Sequence, residues 1–142
     1  MTSCGARFCF VFHTINAYDC PDGTVVLDVM TWDSLDLNLE QMVGHYIGAG
    51  KPERWILQPA AGAVTIVPWA GKEPLSGEFP VVNPKVANQK HKYFYAATVH
   101  SAEGMKPEPL TFEFHSVTKF DTQTQRTVSW YPEAHELENI PP

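Results

Sequence analysis

The residues of this sequence that could carry out chemistry are chiefly its six histidines and three cysteines. No two histidines are spaced as HxH on a strand or as HxxxH on a helix, so no complete metal site is encoded within one short segment. The sequence also lacks the GxSxG turn that presents a nucleophilic serine and the GxxxxGK loop that binds phosphate. Local motifs therefore leave only single residues to consider.

His13 differs from the other histidines in its surroundings, VFHTINAYDC. The apolar run over residues 8–13 predicts a strand buried on both faces that ends at His13. A polar, turn-like stretch containing Asn16, Tyr18 and Asp19 follows at once. A buried imidazole needs a partner for each ring nitrogen. A metal ion on one nitrogen and a carboxylate on the other would meet this need.

A zinc site formed by Cys4, Cys9, His13 and Cys20 is an alternative reading of the same segment. On an extended strand Cys9 and His13 would lie about 13 Å apart, which is too far for two ligands of one ion. Three cysteines are an odd number and do not form a disulfide framework, which favours a reducing compartment.

Most of the remaining sequence predicts short strands separated by turn residues. After a turn at residues 19–23, TVVLDVMTW predicts a strand, and RWILQPAAGAVTIVPW predicts a hairpin that turns at residues 59–62. HKYFYAATVH predicts a further strand, and LTFEFHSVTKFDTQTQRTVSWY predicts a hairpin that turns at residues 121–125. Only residues 34–47 have helical spacing, with Gly48 or Gly50 ending the helix.

The resulting pattern of about eight strands and one short helix indicates an all-β protein with one domain over residues 1–142. Recurrent hairpins without alternating helices favour a meander, a sandwich or a propeller. At about 45 residues per four-stranded blade, the length corresponds to about three blades, too few to close a ring. In HKYFYAATVH, the aromatic side chains Tyr93, Phe94 and Tyr95 are expected in the core and on the sheet surface rather than as a platform for a ligand.

Composition excludes several classes of function. Sixteen acidic and ten basic residues leave a net charge of −6, and the scattered lysines and arginines form no footprint for nucleic acid. No apolar run approaches the roughly 20 residues that span a bilayer, and no secretion signal opens the sequence. We therefore expect an intracellular protein without a transmembrane segment.

Four stretches resemble the carotenoid cleavage oxygenase (retinal pigment epithelial membrane protein) family. VFHTINAYD resembles the FHxxNAYE motif of that family, and DGTVVLDV resembles the strand that follows the motif. GEFPVVNPKVANQKHKYFYAA resembles its EFPxxNPxxxGxxHRYxYA segment, and FHSVTKFDTQTQRTVSWY resembles the next hairpin. The stretches occur in the family order and cover most of the chain from about residue 8 to residue 131.

The resemblance implies a fold, a cofactor and two site residues. Family members are seven-bladed β-propellers in which four histidines from different blades hold Fe(II), while three glutamates accept hydrogen bonds from the ligand rings. His13 falls on the third iron ligand, and Glu78 falls on one of these glutamates. The chain would then form about three blades of the propeller, with one short helix. The implied activity is cleavage of a carbon–carbon double bond of a carotenoid, apocarotenoid or stilbene with dioxygen.

Departures from the family pattern limit the resemblance. The regions with the other three histidine ligands have no counterpart here, and the tail YPEAHELENIPP differs from the expected GEPxFVP, so nothing is assigned to Glu136 or Glu138. Asp19 stands where relatives usually have Glu, and Gln89 stands where Gly is frequent.

We therefore expect an interior fragment of a longer oxygenase, poorly soluble or partly unfolded and inactive by itself. The full-length protein would be located in plastid or cytosol and would contact membranes peripherally. The alternative is a catalytically inactive β-module that binds a partner through its edges or surface.

Overall fold

The computed structural model describes residues 9–32, 50–69, 76–99, 114 and 116–131. Within these ranges the chain forms two four-stranded antiparallel sheets. The first sheet consists of β1 (Phe10–Asp19), β2 (Val25–Trp32), β3 (Lys51–Gln58) and β4 (Ala63–Pro68). The second consists of β5 (Ser76–Val81), β6 (Tyr93–Val99), β7 (Ser116–Asp121) and β8 (Thr127–Trp130). Strands follow one another in chain order within each sheet, and the all-β prediction is confirmed.

Turn residues account for the tight hairpins. The carboxylate of Asp22 accepts hydrogen bonds from both the backbone N–H and the hydroxyl of Thr24, next to Gly23 at φ 81°. A 3-10 turn, Pro59–Ala61, ends at Gly62 in the left-handed region, where a residue without Cβ is favoured. In the turn between β7 and β8, the carboxylate of Asp121 accepts hydrogen bonds from the backbone N–H groups of Gln123 and Thr124. The hairpins predicted from these residues are therefore confirmed.

Strand β1 differs from the sequence-based expectation. It does not end at His13 but continues to Asp19, because β2 pairs with it as far as Asp19↔Val25. Asn16 and Tyr18 are consequently buried strand residues rather than parts of a turn. The prediction of burial on both faces was also wrong, since Phe12 is 57% exposed.

Two further differences concern the count of elements. Strand β5 was not predicted from its residue pattern because Gly77 and Pro80 are both depleted in strands. The length arithmetic gave about three blades, whereas the described residues form two sheets, and the rest of the chain lies outside the described ranges. The helix predicted at residues 34–47 also lies outside them. No helix in the described part of the chain is long and apolar enough to cross a membrane.

The hydrophobic core lies between the two sheets. It contains Ile15 and Met30 from the first sheet and Phe94, Ala96 and Phe120 from the second. The rings of Phe94 and Phe120 are stacked with centroids 4.4 Å apart. Phe94 therefore belongs to the core, as its strand pattern predicted, and the core residues of the two sheets pack together.

Buried hydroxyl groups in the second sheet bond to one another. Thr98 Oγ1 lies 2.7 Å from Ser116 Oγ and 2.6 Å from Thr118 Oγ1, and Thr118 in turn lies 2.8 Å from Ser129 Oγ. Because each hydroxyl can both donate and accept, the row satisfies polar groups that burial would otherwise leave unpaired.

Asn16 connects the first sheet to the segment that precedes β6. Its side-chain N–H groups donate to the Gln89 carbonyl at 2.9 Å and to His91 Nδ1 at 3.0 Å, while its carbonyl oxygen accepts from Asn88 N at 3.0 Å. The residue is 7% exposed, so water cannot replace these partners. One side chain therefore supplies three hydrogen bonds between β1 and the segment before β6.

His91 is buried beside Asp28 and Arg54. Arg54 donates two hydrogen bonds to Asp28, at 2.7 and 2.9 Å, and these bonds raise the pKa of the guanidinium further. His91 Nε2 lies 3.5 Å from Asp28 Oδ2 and has no hydrogen-bond partner among the described residues. Burial lowers the pKa of His91, so the ring is neutral and its Nδ1 accepts from Asn16.

Replacing Asn16 by alanine should destabilise the protein by about 2–4 kcal/mol, because three hydrogen bonds are lost and one partner, His91, stays buried. Urea unfolding followed by circular dichroism measures this change. Asn83→Ala is the matched control, since Asn83 is exposed and makes one hydrogen bond to Lys85 N. Its cost should not exceed about 1 kcal/mol. Equal losses for the two variants would contradict the role assigned to Asn16.

The free energy of unfolding should fall as the pH drops below about 6.5, the ordinary pKa of histidine. Below that pH, His91 is protonated in the unfolded chain but stays neutral in the folded chain, because folding lowers its pKa. The slope contributed by one group is at most about 1.4 kcal/mol per pH unit. Urea unfolding at pH 5–7.5 measures it, and His91→Gln should remove this part of the slope. An unchanged slope in that variant would exclude His91 as the source.

Candidate metal centre

His13 and Glu78 meet where the two sheets adjoin. They are 65 residues apart in sequence, and His13 Nδ1 lies 2.8 Å from Glu78 Oε2. His13 belongs to β1 and Glu78 to β5, the first strands of their respective sheets. The Glu78 side chain is 6% exposed and the His13 side chain 35% exposed. The structure thus brings together the two residues that the family motifs singled out.

Irregular pairing surrounds both residues. The register of β1 against β2 shifts between Val11 and His13 and again between Thr14 and Asn16. β-Bulges of this kind bend a strand and redirect its side chains. In β5 the pairing with β6 shifts after Glu78, next to Phe79 at φ 54°. A bulky residue at positive φ is uncommon and costs energy, so the surrounding structure must hold it there.

The hydrogen bonds of Glu78 determine which nitrogen of His13 is available. Trp32 Nε1, which can only donate, hydrogen bonds to Glu78 Oε1. An ionised carboxylate only accepts, so His13 Nδ1–H donates the hydrogen bond to Oε2, and in the neutral ring the lone pair is then on Nε2. No other described residue hydrogen bonds to Nε2. A neutral imidazole with a carboxylate on its other nitrogen fits a metal ligand such as the implied Fe(II).

Close approach of the backbone makes room for this carboxylate. A Cβ at Gly50 would lie 2.7 Å from Glu78 Oε1 and 2.9 Å from Trp32 Nε1. Gly50 also pairs with Gly77, whose N–H donates to the Gly50 carbonyl at 2.9 Å. The sequence had suggested Gly50 only as a helix end.

Sequence reasoning missed Trp32 and Gly50 as parts of the site. Trp32 lies 46 residues before Glu78, and no spacing rule connects them. The available signal was weak: a tryptophan ring that is partly buried needs an acceptor for its N–H.

Two aromatic rings lie beside the His13 imidazole. The ring of Phe12 lies 4.9 Å from the imidazole centroid, and that of Phe79 lies 5.4 Å away. Phe12 and Phe79 are 57% and 59% exposed, although both are large and apolar. The imidazole of His13 is therefore bordered by two exposed apolar rings.

The other candidate residues are not part of this arrangement. His91 belongs to the buried group with Asn16 and Asp28, and four histidines, at 45, 100, 115 and 135, lie outside the described residues. Cys9 and Cys20 are free thiols, and Cys4 is outside the described ranges. The described residues contain no group of three or more His, Cys, Asp or Glu that could hold a metal ion. Among the described residues, His13 would therefore be a single ligand.

Two residues that depart from the family pattern, Asp19 and Gln89, have no hydrogen bond to the imidazole of His13 among the described residues. Asp19 is exposed at the end of β1, and Gln89 contributes its carbonyl oxygen to the Asn16 side chain. Glu136 and Glu138 are outside the described residues. A cavity of about 80 Å³ is bordered by Asp28, Arg54 and Trp69, but neither His13 nor Glu78 lines it.

Comparison with solved structures establishes the fold. Cobalt-substituted apocarotenoid oxygenase (ACO) of Synechocystis has a TM-score of 0.67 at 23% identity, over 86% of this chain and 24% of that chain. A variant ACO/RPE65 chimera in a monoclinic crystal form has a TM-score of 0.68 at 22% identity, with the same coverage. The chain spans about a quarter of these structures. The two sheets are thus blades of their propeller fold, as predicted.

Family membership rests on a separate sequence comparison. None of the curated proteins matches the chain significantly. The model of the family described as retinal pigment epithelial membrane protein matches residues 3–138. Because this match covers nearly the whole sequence, the chain belongs to the retinal pigment epithelial membrane protein family, that of the carotenoid cleavage oxygenases.

Proposed function

We propose that this chain is part of a non-haem Fe(II) dioxygenase that cleaves a carbon–carbon double bond of a carotenoid, apocarotenoid or stilbene. The observation that carries the proposal is the His13–Glu78 hydrogen bond of 2.8 Å, made by the two residues that match the family motifs. A histidine with its Nδ1 bonded to a buried carboxylate presents Nε2 in the form that binds a metal.

The donor chemistry favours iron over the metals that prefer oxygen or sulfur. Neutral imidazole is a suitable ligand for Fe(II), and an all-nitrogen set leaves positions open for dioxygen. The structural relative from Synechocystis is described as cobalt-substituted, which supports a transition-metal site in the family. Bound Fe(II) would supply activation of dioxygen for cleavage of the double bond.

The residues of this chain would contribute binding and orientation. His13 would supply one nitrogen ligand, and Glu78 would keep its ring in one orientation and in one tautomer. The exposed rings of Phe12 and Phe79 form an apolar border beside the imidazole. Such a border suits a polyene, whose binding depends on apolar contact rather than on hydrogen bonds.

A working iron site needs more ligands than His13 alone. We infer that the other ligands belong to a longer protein, since the chain spans about a quarter of its structural relatives. The 142 residues alone should then bind iron weakly and show no cleavage. We also propose that the full-length protein is located in plastid or cytosol and contacts membranes peripherally.

In the complete protein that contains this sequence, His13→Ala should abolish stoichiometric iron binding, because one ligand is lost. Glu78→Gln should weaken iron binding by about 10- to 100-fold, because Gln cannot accept as an anion from Nδ1. Iron content by mass spectrometry and dioxygen uptake with carotenoid, apocarotenoid and stilbene substrates measure both effects. Asp19→Asn is the matched control, because it removes an exposed carboxylate from the same strand and should change neither.

Iron binding and dioxygen uptake that persist in His13→Ala would overturn the proposal. A complete protein that is folded, binds no iron and cleaves none of these substrates would instead favour the alternative, an inactive β-module. Size-exclusion chromatography of the same sample identifies the folded species.

A further inference from the structure

We propose that Trp32 is a positioning residue for the His13–Glu78 pair, and that Gly50 is required because only glycine leaves room for the carboxylate. The inference rests on the proposed function, since it concerns how a ligand of the metal is held. Trp32 would act through Glu78, and neither residue would touch the metal.

Glu78 has one donor for each carboxylate oxygen. His13 Nδ1 bonds to Oε2 at 2.8 Å and Trp32 Nε1 bonds to Oε1, while the side chain is only 6% exposed. A carboxylate bound through one oxygen can still rotate about its terminal bond. With the second oxygen bound to a rigid indole, the plane of the carboxylate is determined. The direction of the His13 ring is then determined as well.

Trp32 is itself held in place by the first sheet. It is the last residue of β2, and its antiparallel partner is Phe10 of β1. Its ring centroid lies 6.5 Å from that of Phe12, the neighbour of His13. Both donors to Glu78 therefore come from adjacent strands of one sheet, whereas the acceptor comes from the other sheet. The position of the carboxylate relative to His13 thus depends on Trp32.

The absence of a side chain at Gly50 leaves space for the side chains of Glu78, Trp32 and Met30. Its backbone passes directly beside the Trp32–Glu78 hydrogen bond, and a Cβ would lie within 3.0 Å of Glu78 Oε1, Trp32 Nε1 and Met30 Cβ. Gly50 is not at positive φ, so an alanine would not strain the backbone itself. Gly50→Ala is consequently a steric probe that separates Trp32 from Glu78.

The first variant, Trp32→Phe, removes the indole N–H and keeps an aromatic ring. In the complete protein, the dissociation constant for Fe(II) should rise about 10-fold, the size of effect seen when partners of metal ligands are removed. In proton NMR spectra without metal, the His13 Nδ1–H signal should shift or broaden because Glu78 is no longer held. Gly50→Ala should have the same two effects.

Trp55→Phe is the matched control. Trp55 Nε1 donates to Glu53 Oε2 at 3.1 Å, so this variant removes an indole–carboxylate hydrogen bond from the same sheet. It should leave the iron affinity and the His13 signal unchanged.

Wild-type iron affinity and an unshifted His13 signal in a folded Trp32→Phe or Gly50→Ala variant would overturn the inference. If Trp32→Phe does not fold, Gly50→Ala decides the question by the same two measurements. Failure of the proposed function is distinct, because iron binding would then be insensitive to His13→Ala. The His13 signal tests the positioning role without any metal.

Discussion

A buried carboxylate between two sheets is the constraint on which the site depends. Glu78 belongs to β5, but both of its hydrogen-bond donors, His13 and Trp32, belong to the first sheet. Burying a charge without partners is costly, so the favourable arrangement is the one in which the sheets meet at this point. The same contacts that satisfy Glu78 determine the tautomer and direction of His13. The stability of the junction and the chemistry of the imidazole are therefore coupled.

The contrast between His13 and His91 shows how surroundings decide the role of a histidine. Both rings lie near the junction, and both have a carboxylate nearby. His91 is buried, and Asp28, the carboxylate near it, is already paired with Arg54. His13 is partly exposed and has a carboxylate bonded directly to Nδ1. His91 therefore serves contacts within the fold, whereas Nε2 of His13 has no hydrogen-bond partner among the described residues.

Local irregularities make the arrangement possible. Regular pairing of β1 would place successive side chains on alternate faces, but two register shifts around His13 change that alternation. Phe79, at positive φ beside Glu78, interrupts β5 in a similar way. Gly50 leaves space beside Glu78, and its carbonyl accepts from the N–H of Gly77 in β5. The deviations in β1 lie within three residues of His13, and the irregularity in β5 lies next to Glu78.

Residue patterns predicted the strands and turns that depend on neighbouring residues in the sequence. The turns near Asp22, Gly62 and Asp121 follow from residues that bond to their immediate neighbours or adopt left-handed backbone conformations. Motif resemblance also identified His13 and Glu78. It did so because each residue sits in a recognisable stretch of its own, without any information on their separation. The end of β1 and the existence of β5 were not predictable in this way, because pairing with other strands overrides the turn-like or strand-breaking residues within them.

The sequence by itself therefore determined the all-β class and most of the turns, because these depend on short-range chemistry, and its family motifs named His13 and Glu78 as candidate site residues. Only the tertiary structure decided that Glu78 meets His13, that Trp32 takes the second oxygen and that Gly50 leaves the space. These contacts join residues between 28 and 65 positions apart. Their formation depends on how two sheets pack, and no spacing within one segment encodes that packing.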